Sequence, residues 1–318
     1  MNLITLSNSK ITAANLTNMF VANKEDVEKQ ILELRENGET VVANFAEHLL
    51  SEAPVVETHT GTMHADDVCS TAFLRLLNSN VKVSRVFKMS KNAFGYDIGG
   101  KENREFDHHD DPREERENGT IYAAFGKLWR AFAPILFSKF VVSYVDEVFC
   151  QPIDHTDNTG ERNLLSTAIG LFNSTIVDEA DYNNDAAFEQ VVALVQTILQ
   201  RVIIKAFAEE QAAEIVAPAA EKAEIPGILV LDTYVSWQYY LSKHPELGFK
   251  VVIAPSDRGG YGATIVEETG FRVPKTWWGL INPTTPPVEG LTFCHASNGF
   301  LTAFDTLENA VKAMKDLI

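Results

Sequence analysis

Residues 54–87 read PVVETHTGTMHADDVCSTAFLRLLNSNVKVSRVF, and this stretch decides the fold. Val55–Thr58 is an apolar, β-branched run behind a proline, which is strand composition. His59–Asp67 is a polar turn. Beyond it, Val68, Ala72, Phe73, Leu76 and Leu77 share one helical face, with Asp66 and Asp67 where N-caps belong. Residues 81–87 alternate apolar and polar, the period of a strand. Strand, loop, helix and strand in that order predict an α/β sheet.

Upstream, residues 25–37 place Val27, Ile31, Leu32 and Leu34 on a short helix that Gly38 stops, and residues 40–50 read as a second helix. Downstream, Tyr96–Gly100 marks a strand end or turn, and residues 111–118 are a charged loop. Gly119-Thr120 opens a helix through about Phe132, and residues 134–149 continue in helical pattern. Residues 183–217 carry a long helical pattern free of Pro and Gly. The composition shifts at 218–227, and strands are expected at 227–232, 249–254 and 262–267. An amphipathic helix closes the chain over Thr306–Ile318. Three parts are therefore expected. Residues 1–50 form a helical N-terminal extension, 51–175 an α/β domain, and 176–318 a long helix leading into a smaller α/β domain.

Composition narrows the function. The net charge of −17 sets a surface field that repels long nucleic acid, so any nucleic-acid substrate is expected to be short or met at its end. Carboxylates and imidazoles can also hold divalent cations, which offset part of that charge. No run reaches the 18 or more apolar residues of a membrane span, so no membrane partner is expected. The three cysteines, Cys69, Cys150 and Cys294, lie far apart without CxxC pairing. That fits a reducing, cytoplasmic compartment and argues against a disulfide framework or structural zinc. Residues 1–24 hold two lysines and no arginine, so a secretory leader is not expected and an organelle transit peptide is weakly supported. Self-association into a homo-oligomer is left open.

Five of the eight histidines fall between residues 59 and 157. His59, His64, Asp66 and Asp67 crowd the turn after the first strand, the end of an open α/β sheet where ligands bind. Asp97 stands at a later strand end, Asp107-His108-His109 follow, and Asp154, His155 and Asp157 come after two helices. Mixed imidazole and carboxylate donors suit divalent Mn, Fe or Co. Two such ions about 3.5–4 Å apart activate water and clamp phosphate oxygens. Each residue also has a plainer reading. Asp66 is a plausible N-cap, Asp97 a turn residue beside Gly99-Gly100, Asp154 and Asp157 helix-end carboxylates, and the His-His pair a polar turn. Arg113 and Arg116 stand in the charged loop, either gripping phosphate oxygens or simply solvated.

Five segments carry a resemblance: Glu57–Asp67 (ETHTGTMHADD), Asp97–Gly100, Phe106–His109 (FDHH), Asn118–Gly126 and Ile153–Asn158 (IDHTDN). Together with Pro274–Leu280 and Phe293–Phe300, they resemble the MYG1 (UPF0160) family, within the DHH phosphoesterase group, over about residues 55–318. The resemblance implies a DHH-type domain with a mostly parallel sheet flanked by helices, followed by a smaller substrate domain. It implies a manganese-dependent phosphodiesterase with two ions, a 3′–5′ exonuclease on RNA. His59, His64 and Asp66 would be ligands of the first motif, Asp97 would bridge the ions, His108 would be a ligand, and Asp157 would complete the second ion. His109 would face the substrate phosphate, and Asp107 would orient the histidines. Two positions depart from the group's pattern: His64 stands where many relatives carry Asp, and Asp110 where Gln is expected. The Asp257–Tyr261 turn and His295 are weaker candidates for substrate contact. The competing functions are hydrolysis of a small phosphoester, such as pyrophosphate or a dinucleotide, and metal-dependent regulation without catalysis.

Overall fold

The computed structural model describes residues 11–99, 106–109, 113–179 and 181–318. Asp110 and the first ten residues of the expected extension lie outside them. The chain divides into two compact units, Met1–Phe207 and Ala208–Ile318.

The first unit is built on a small parallel sheet of order β2-β1-β3. Its strands are β1 (Val55–His59), β2 (Lys82–Val86) and β3 (Phe94–Gly95). In register, His59 pairs with Val86 and Glu57 with Gly95, so β1 and β2 end together and β3 ends two residues short of them. Between β1 and β2 runs α4 (Ala65–Leu77), the helix read from the sequence. Twelve of its thirteen residues are buried, which its one-faced apolar pattern does not foretell. The extra cover comes from α5 (Ala124–Leu136), whose first turn lies against Asp66.

Residues 11–50 are part of this unit's core and not an appendage. They form α1 (Met19–Ala22), α2 (Lys24–Glu36) and α3 (Thr40–Leu49). Phe45 of α3 is buried and meets Phe94, Phe106 and Phe132, while Phe20 meets Phe132 edge-on. Such aromatic pairs add about 0.5–1.5 kcal/mol beyond area burial. The segment that carries Asp107–His109 is thus anchored by Phe106 within this cluster.

Beyond α5, a nearly continuous helical rod joins α6 (Lys139–Val145), a π turn (Asp146–Cys150) and α7 (Gln151–Thr159). The short α8 (Leu164–Gly170) follows. Then comes α9 (Asn184–Glu221), a helix of 38 residues. By length and composition α9 could cross a membrane. Yet Val191, Val192, Val195, Leu199 and Ile203 are buried. The division between units falls inside α9, at Phe207. Its earlier part is tied to the first unit through Glu189 to Arg75 and Gln200 to the Ala13 carbonyl.

The second unit is a five-stranded mixed sheet of order β4-β5-β6-β8-β7. Here β4 (Ile228–Val230) and β5 (Val251–Pro255) are parallel; β6 (Tyr261–Ile265), β8 (Leu301–Phe304) and β7 (Leu291–Cys294) continue antiparallel. Strand alternation serves two faces. Val251 and Ile253 join Phe304 and α11 (Leu307–Lys315), whereas Val252 and Ala254 join Val216 and Leu241 of α10 (Gln238–Lys243). At the β5–β6 turn, a Cβ on Gly260 would lie 2.1 Å from the Phe304 carbonyl oxygen, so only glycine fits there. Both units bear out the α/β class expected from sequence.

Candidate metal centre

The site gathers at the C-terminal ends of β1 and β3. His59 is the last residue of β1. The chain then turns, and the backbone N–H of His64 donates to Asp67 Oδ1 at 2.9 Å, fixing the first turn of α4. Asp66 and Asp67 are thereby buried completely. Asp97 follows β3 with a left-handed φ of 50°, and its N–H donates to the Phe106 carbonyl. That bond holds Asp97 beside the Asp107–His109 segment. Lys127 of α5 anchors the same segment by donating to the Asp107 carbonyl at 2.7 Å. Asp157 arrives from α7.

Two groups of donors result, joined through Asp97. In one, His59 Nε2 lies 3.3 Å from Asp97 Oδ2 and 3.4 Å from Asp67 Oδ2. In the other, His108 Nε2 lies 3.0 Å from Asp157 Oδ2, 3.3 Å from Asp97 Oδ1 and 3.9 Å from Asp66 Oδ2. His59 Nε2, His108 Nε2, Asp67 Oδ2 and Asp97 Oδ2 are all buried and have no hydrogen-bond partner. Buried polar atoms normally find partners. Three of them, on His59, Asp67 and Asp97, converge, and His108 Nε2 faces the carboxylates of Asp66, Asp97 and Asp157, an arrangement a cation would satisfy. Asp66, His108 and Asp157, and separately Asp97, His108 and His109, can each present ligand atoms within one ion's reach.

Electrostatics tell the same story. Burial pushes Asp67 up to about 7, the His59 and Arg85 charges offsetting part of it. Asp66 is raised well above the usual carboxylate range by burial and by Asp97 and Asp157. Burial opposes charge on His59 and His108, but the carboxylates outweigh it, raising them to about 9 and about 11. Burial likewise opposes charge on Asp97, yet His108 and His59 hold it down at about 2. Protons on the two imidazoles thus supply the positive charge this cavity demands. A divalent ion would replace them.

The other expected residues fall at different distances. His109 is half exposed, and its Nδ1 lies 2.7 Å from Asp107 Oδ1. Asp107 also accepts the N–H groups of Gly99 and His109, so it ties the two loops together. His64 stands at the rim, with Nδ1 3.9 Å from Asp157 Oδ1 and more than half its side chain exposed. Arg113 is exposed and among the described residues reaches Asn158, at 3.5 Å. Arg116 does not face a phosphate: it is buried, holds Asp146 and Asp154, and stacks on Tyr122 at 3.8 Å. Asp154 is consequently turned away, and Asp157 is the carboxylate beside His108. Asp66 is indeed a helix cap, but of α5: it accepts from the N–H groups of Ala124 and Phe125 at 2.9 and 2.7 Å.

Sequence reasoning placed Asp67 in the crowded turn without giving it a ligand role, and it missed Arg85. Asp67 reads as a plain first-turn acid, and only the orphaned Oδ2 beside His59 marks it out. The Arg85 side chain of β2 is buried and donates to the Gly61 carbonyl at 2.9 Å, bracing the turn after His59. Its alternation with Val86 was legible, but its reach was not.

Residues 55–317 match the profile of the MYG1 exonuclease group, described as an uncharacterised protein family (UPF0160). The curated proteins named MYG1 exonuclease from Mus musculus and Rattus norvegicus are each 26% identical over 323 residues, spanning 82% of this chain and 84% of theirs. No solved structure matches. With the profile covering all of β1 to α11, the chain belongs to the MYG1 (UPF0160) family.

Proposed function

We propose that this protein is a metal-dependent phosphoester hydrolase with two divalent ions, manganese by preference, cutting RNA ends or short oligonucleotides from the 3′ side. The observation that carries the reading is the set of four buried, unpartnered atoms on His59, His108, Asp67 and Asp97. One ion would be held by His59, Asp67 and Asp97, the other by Asp66, Asp97, His108 and Asp157, with His64 at the rim available to the second. Bound there, the ions would supply an activated water and neutralise phosphate oxygens.

The protein's own groups do the rest. Asp97 offers one oxygen to each group of donors and so fixes their separation. Asp66 keeps its α5 contacts and still has lone pairs for an ion, since each carboxylate oxygen accepts twice. Asp107 holds His109 by Nδ1, so a phosphate would meet Nε2 of the half-exposed ring. His109 can then carry a proton to the leaving oxygen. Burial of the donor set keeps bulk water from competing. The exonuclease activity carried in the names of the mouse and rat relatives supports a nucleic-acid substrate. The charge of −17 supports short or terminal substrates. A cytoplasmic location belongs to the same proposal, supported by three free, buried cysteines.

The test is metal analysis of protein purified without chelator, followed by manganese assays on short RNA, long RNA, dinucleotides and pyrophosphate. Release of single nucleotides from 3′ ends of short RNA is expected. Processive decay of long RNA at an equal rate removes the length restriction. Turnover of pyrophosphate or dinucleotides alone replaces the substrate, and no hydrolysis of any phosphoester ends the enzyme reading.

A further inference from the structure

The first turn of α5 presents backbone N–H groups that its own helix cannot satisfy. Those of Ala124 and Phe125 go to Asp66, and that of Gly126 goes to Asp154 Oδ1 at 3.1 Å. Asp66 belongs to α4 and Asp154 to α7. The two helices that bring Asp66, Asp67 and Asp157 to the centre are therefore docked by buried carboxylates on one helix end.

Asp154 is locked from its other side. Its Oδ2 accepts from Arg116 Nη2 at 2.7 Å. Arg116 also donates to Asp146 through Nε at 2.9 Å and Nη2 at 2.6 Å. Asp146 opens the π turn ahead of α7, and the wider winding of that turn lets Asp146 and Asp154 reach the same guanidinium. Gly126 makes the arrangement sterically possible. A Cβ there would lie 1.9 Å from Asp154 Oδ2 and 2.7 Å from Arg116 Nη2. The backbone of Gly126 is ordinary helix, so the glycine is required for close approach and not for conformation. Asp154 cannot simply swing aside, because the Gly126 N–H and Arg116 pin both its oxygens.

We infer that Gly126, Asp154 and Arg116 are positioning residues that set the affinity of one half of the metal centre, the half formed by Asp66, His108 and Asp157. Asp157 lies one helical turn beyond Asp154, with Oδ2 3.0 Å from His108 Nε2. Metal–ligand distances tolerate only about ±0.2 Å. A small shift of α7 therefore withdraws Asp157 while leaving His59, Asp67 and Asp97 in place. This inference rests on the two-ion reading above.

Manganese titration by calorimetry tests it, on wild type, Gly126→Ala, Asp157→Asn and the double variant, with thermal unfolding in chelator as the check of folding. Wild type should bind two ions. Asp157→Asn should weaken one of them. Gly126→Ala should weaken the same one by roughly 10–100-fold, the size typical of lost ligand support, and leave the other within about threefold. The double variant should bind no more weakly than Asp157→Asn alone, because both changes act through one carboxylate. Two unchanged ions in folded Gly126→Ala, equal loss of both, or additive losses would overturn the inference. If Gly126→Ala does not fold, Asp154→Asn, which keeps the shape and an acceptor for Gly126, carries the same expectation. A wild type that binds fewer than two ions overturns the two-ion reading and this inference together. A wild type that binds two, with Asp157→Asn weakened and Gly126→Ala unaffected, overturns this inference alone.

Discussion

The two units spend their interiors differently. In the second, the buried polar side chains among the described residues are Glu209, which accepts from Ser236, and Thr302, which donates to a strand carbonyl. In the first, Asp66, Asp67, Asp97, Asp107, His108, Arg116, Lys127 and Asp154 are all buried. Burying an ionised carboxylate is expensive unless it is paired. The second unit follows the rule of an apolar core, and the first departs from it around one point. Arg116 and Lys127 offset part of the charge, but the orphans on Asp67 and Asp97 remain. A region whose interior is costly to fold empty, beside one that is not, locates the chemistry without reference to any relative.

The comparison breaks most decisively at Asp97. Asp97→Asn removes one of the two oxygens through which this residue joins the donor groups, and asparagine tolerates the left-handed backbone there. Turnover should fall by about a thousandfold or more, on the scale of losing a principal electrostatic contact, with the far-ultraviolet spectrum unchanged. Activity within tenfold of wild type would mean the buried charge of the first unit serves structure alone.

The second unit should fail in the opposite manner. Phe304 is buried in its apolar core against α11 and the sheet. Phe304→Ala should cost about 3–5 kcal/mol of stability, by cavity formation and lost burial. Manganese affinity, measured well below the melting temperature, should not move. A matching drop in affinity would show that the apolar unit shapes the centre after all.

How much of this was legible follows the same division. Period and punctuation revealed β4, β5, β6 and the closing helix of the second unit, because an apolar core writes itself into alternation, but not β7 and β8. They also revealed β1, α4 and β2, and the His/Asp set at their ends. The allocation of roles was not legible. Asp66 and Asp67 are neighbours in the chain, yet one caps α5 and the other faces His59. Asp154 and Asp157 share a helix, and only the position of Arg116 separates them. The roles of Asp66 and Asp154 depend on contacts 28 or more residues apart, Asp154 with Gly126 and Asp66 with Ala124. The helices of residues 11–50 lie outside the segments that carry the resemblance, and Phe45 meets its partners Phe94, Phe106 and Phe132 only in three dimensions.

pH sharpens the comparison in the metal-free protein. His59 and His108 have folded values of about 9 and about 11 against an ordinary 6.5. Their stabilising contribution is complete below about pH 6.5 and is lost as pH rises through those values. Asp67, raised from 3.8 to about 7, acts in the same direction, since ionising it in the interior is unfavourable. In chelator, the melting temperature of the first unit should therefore fall by several degrees from about pH 6 to about pH 8.5, given ~2–4 °C per kcal/mol at this size. With manganese present the trend should reverse, because the ion replaces the protons and binds more tightly as they leave. A melting temperature that is flat with pH in chelator and unchanged by manganese would remove the electrostatic distinction between the units.

The smallest effect concerns a charge of the first unit that is not buried. Arg113 reaches Asn158, next to Asp157, at 3.5 Å and is otherwise exposed. If burial separates working charges from solvated ones, Arg113 adds only weak attraction for a substrate phosphate. An exposed ionic contact is worth about 0.2–1 kcal/mol. Arg113→Ala should thus raise KM for a short oligonucleotide between about 1.5-fold and fivefold, leave kcat unchanged, and matter less as salt is added. A fall in kcat of more than about a hundredfold would place Arg113 in the chemistry itself. The line between the two kinds of charge would then run through the surface of the first unit and no longer around its interior.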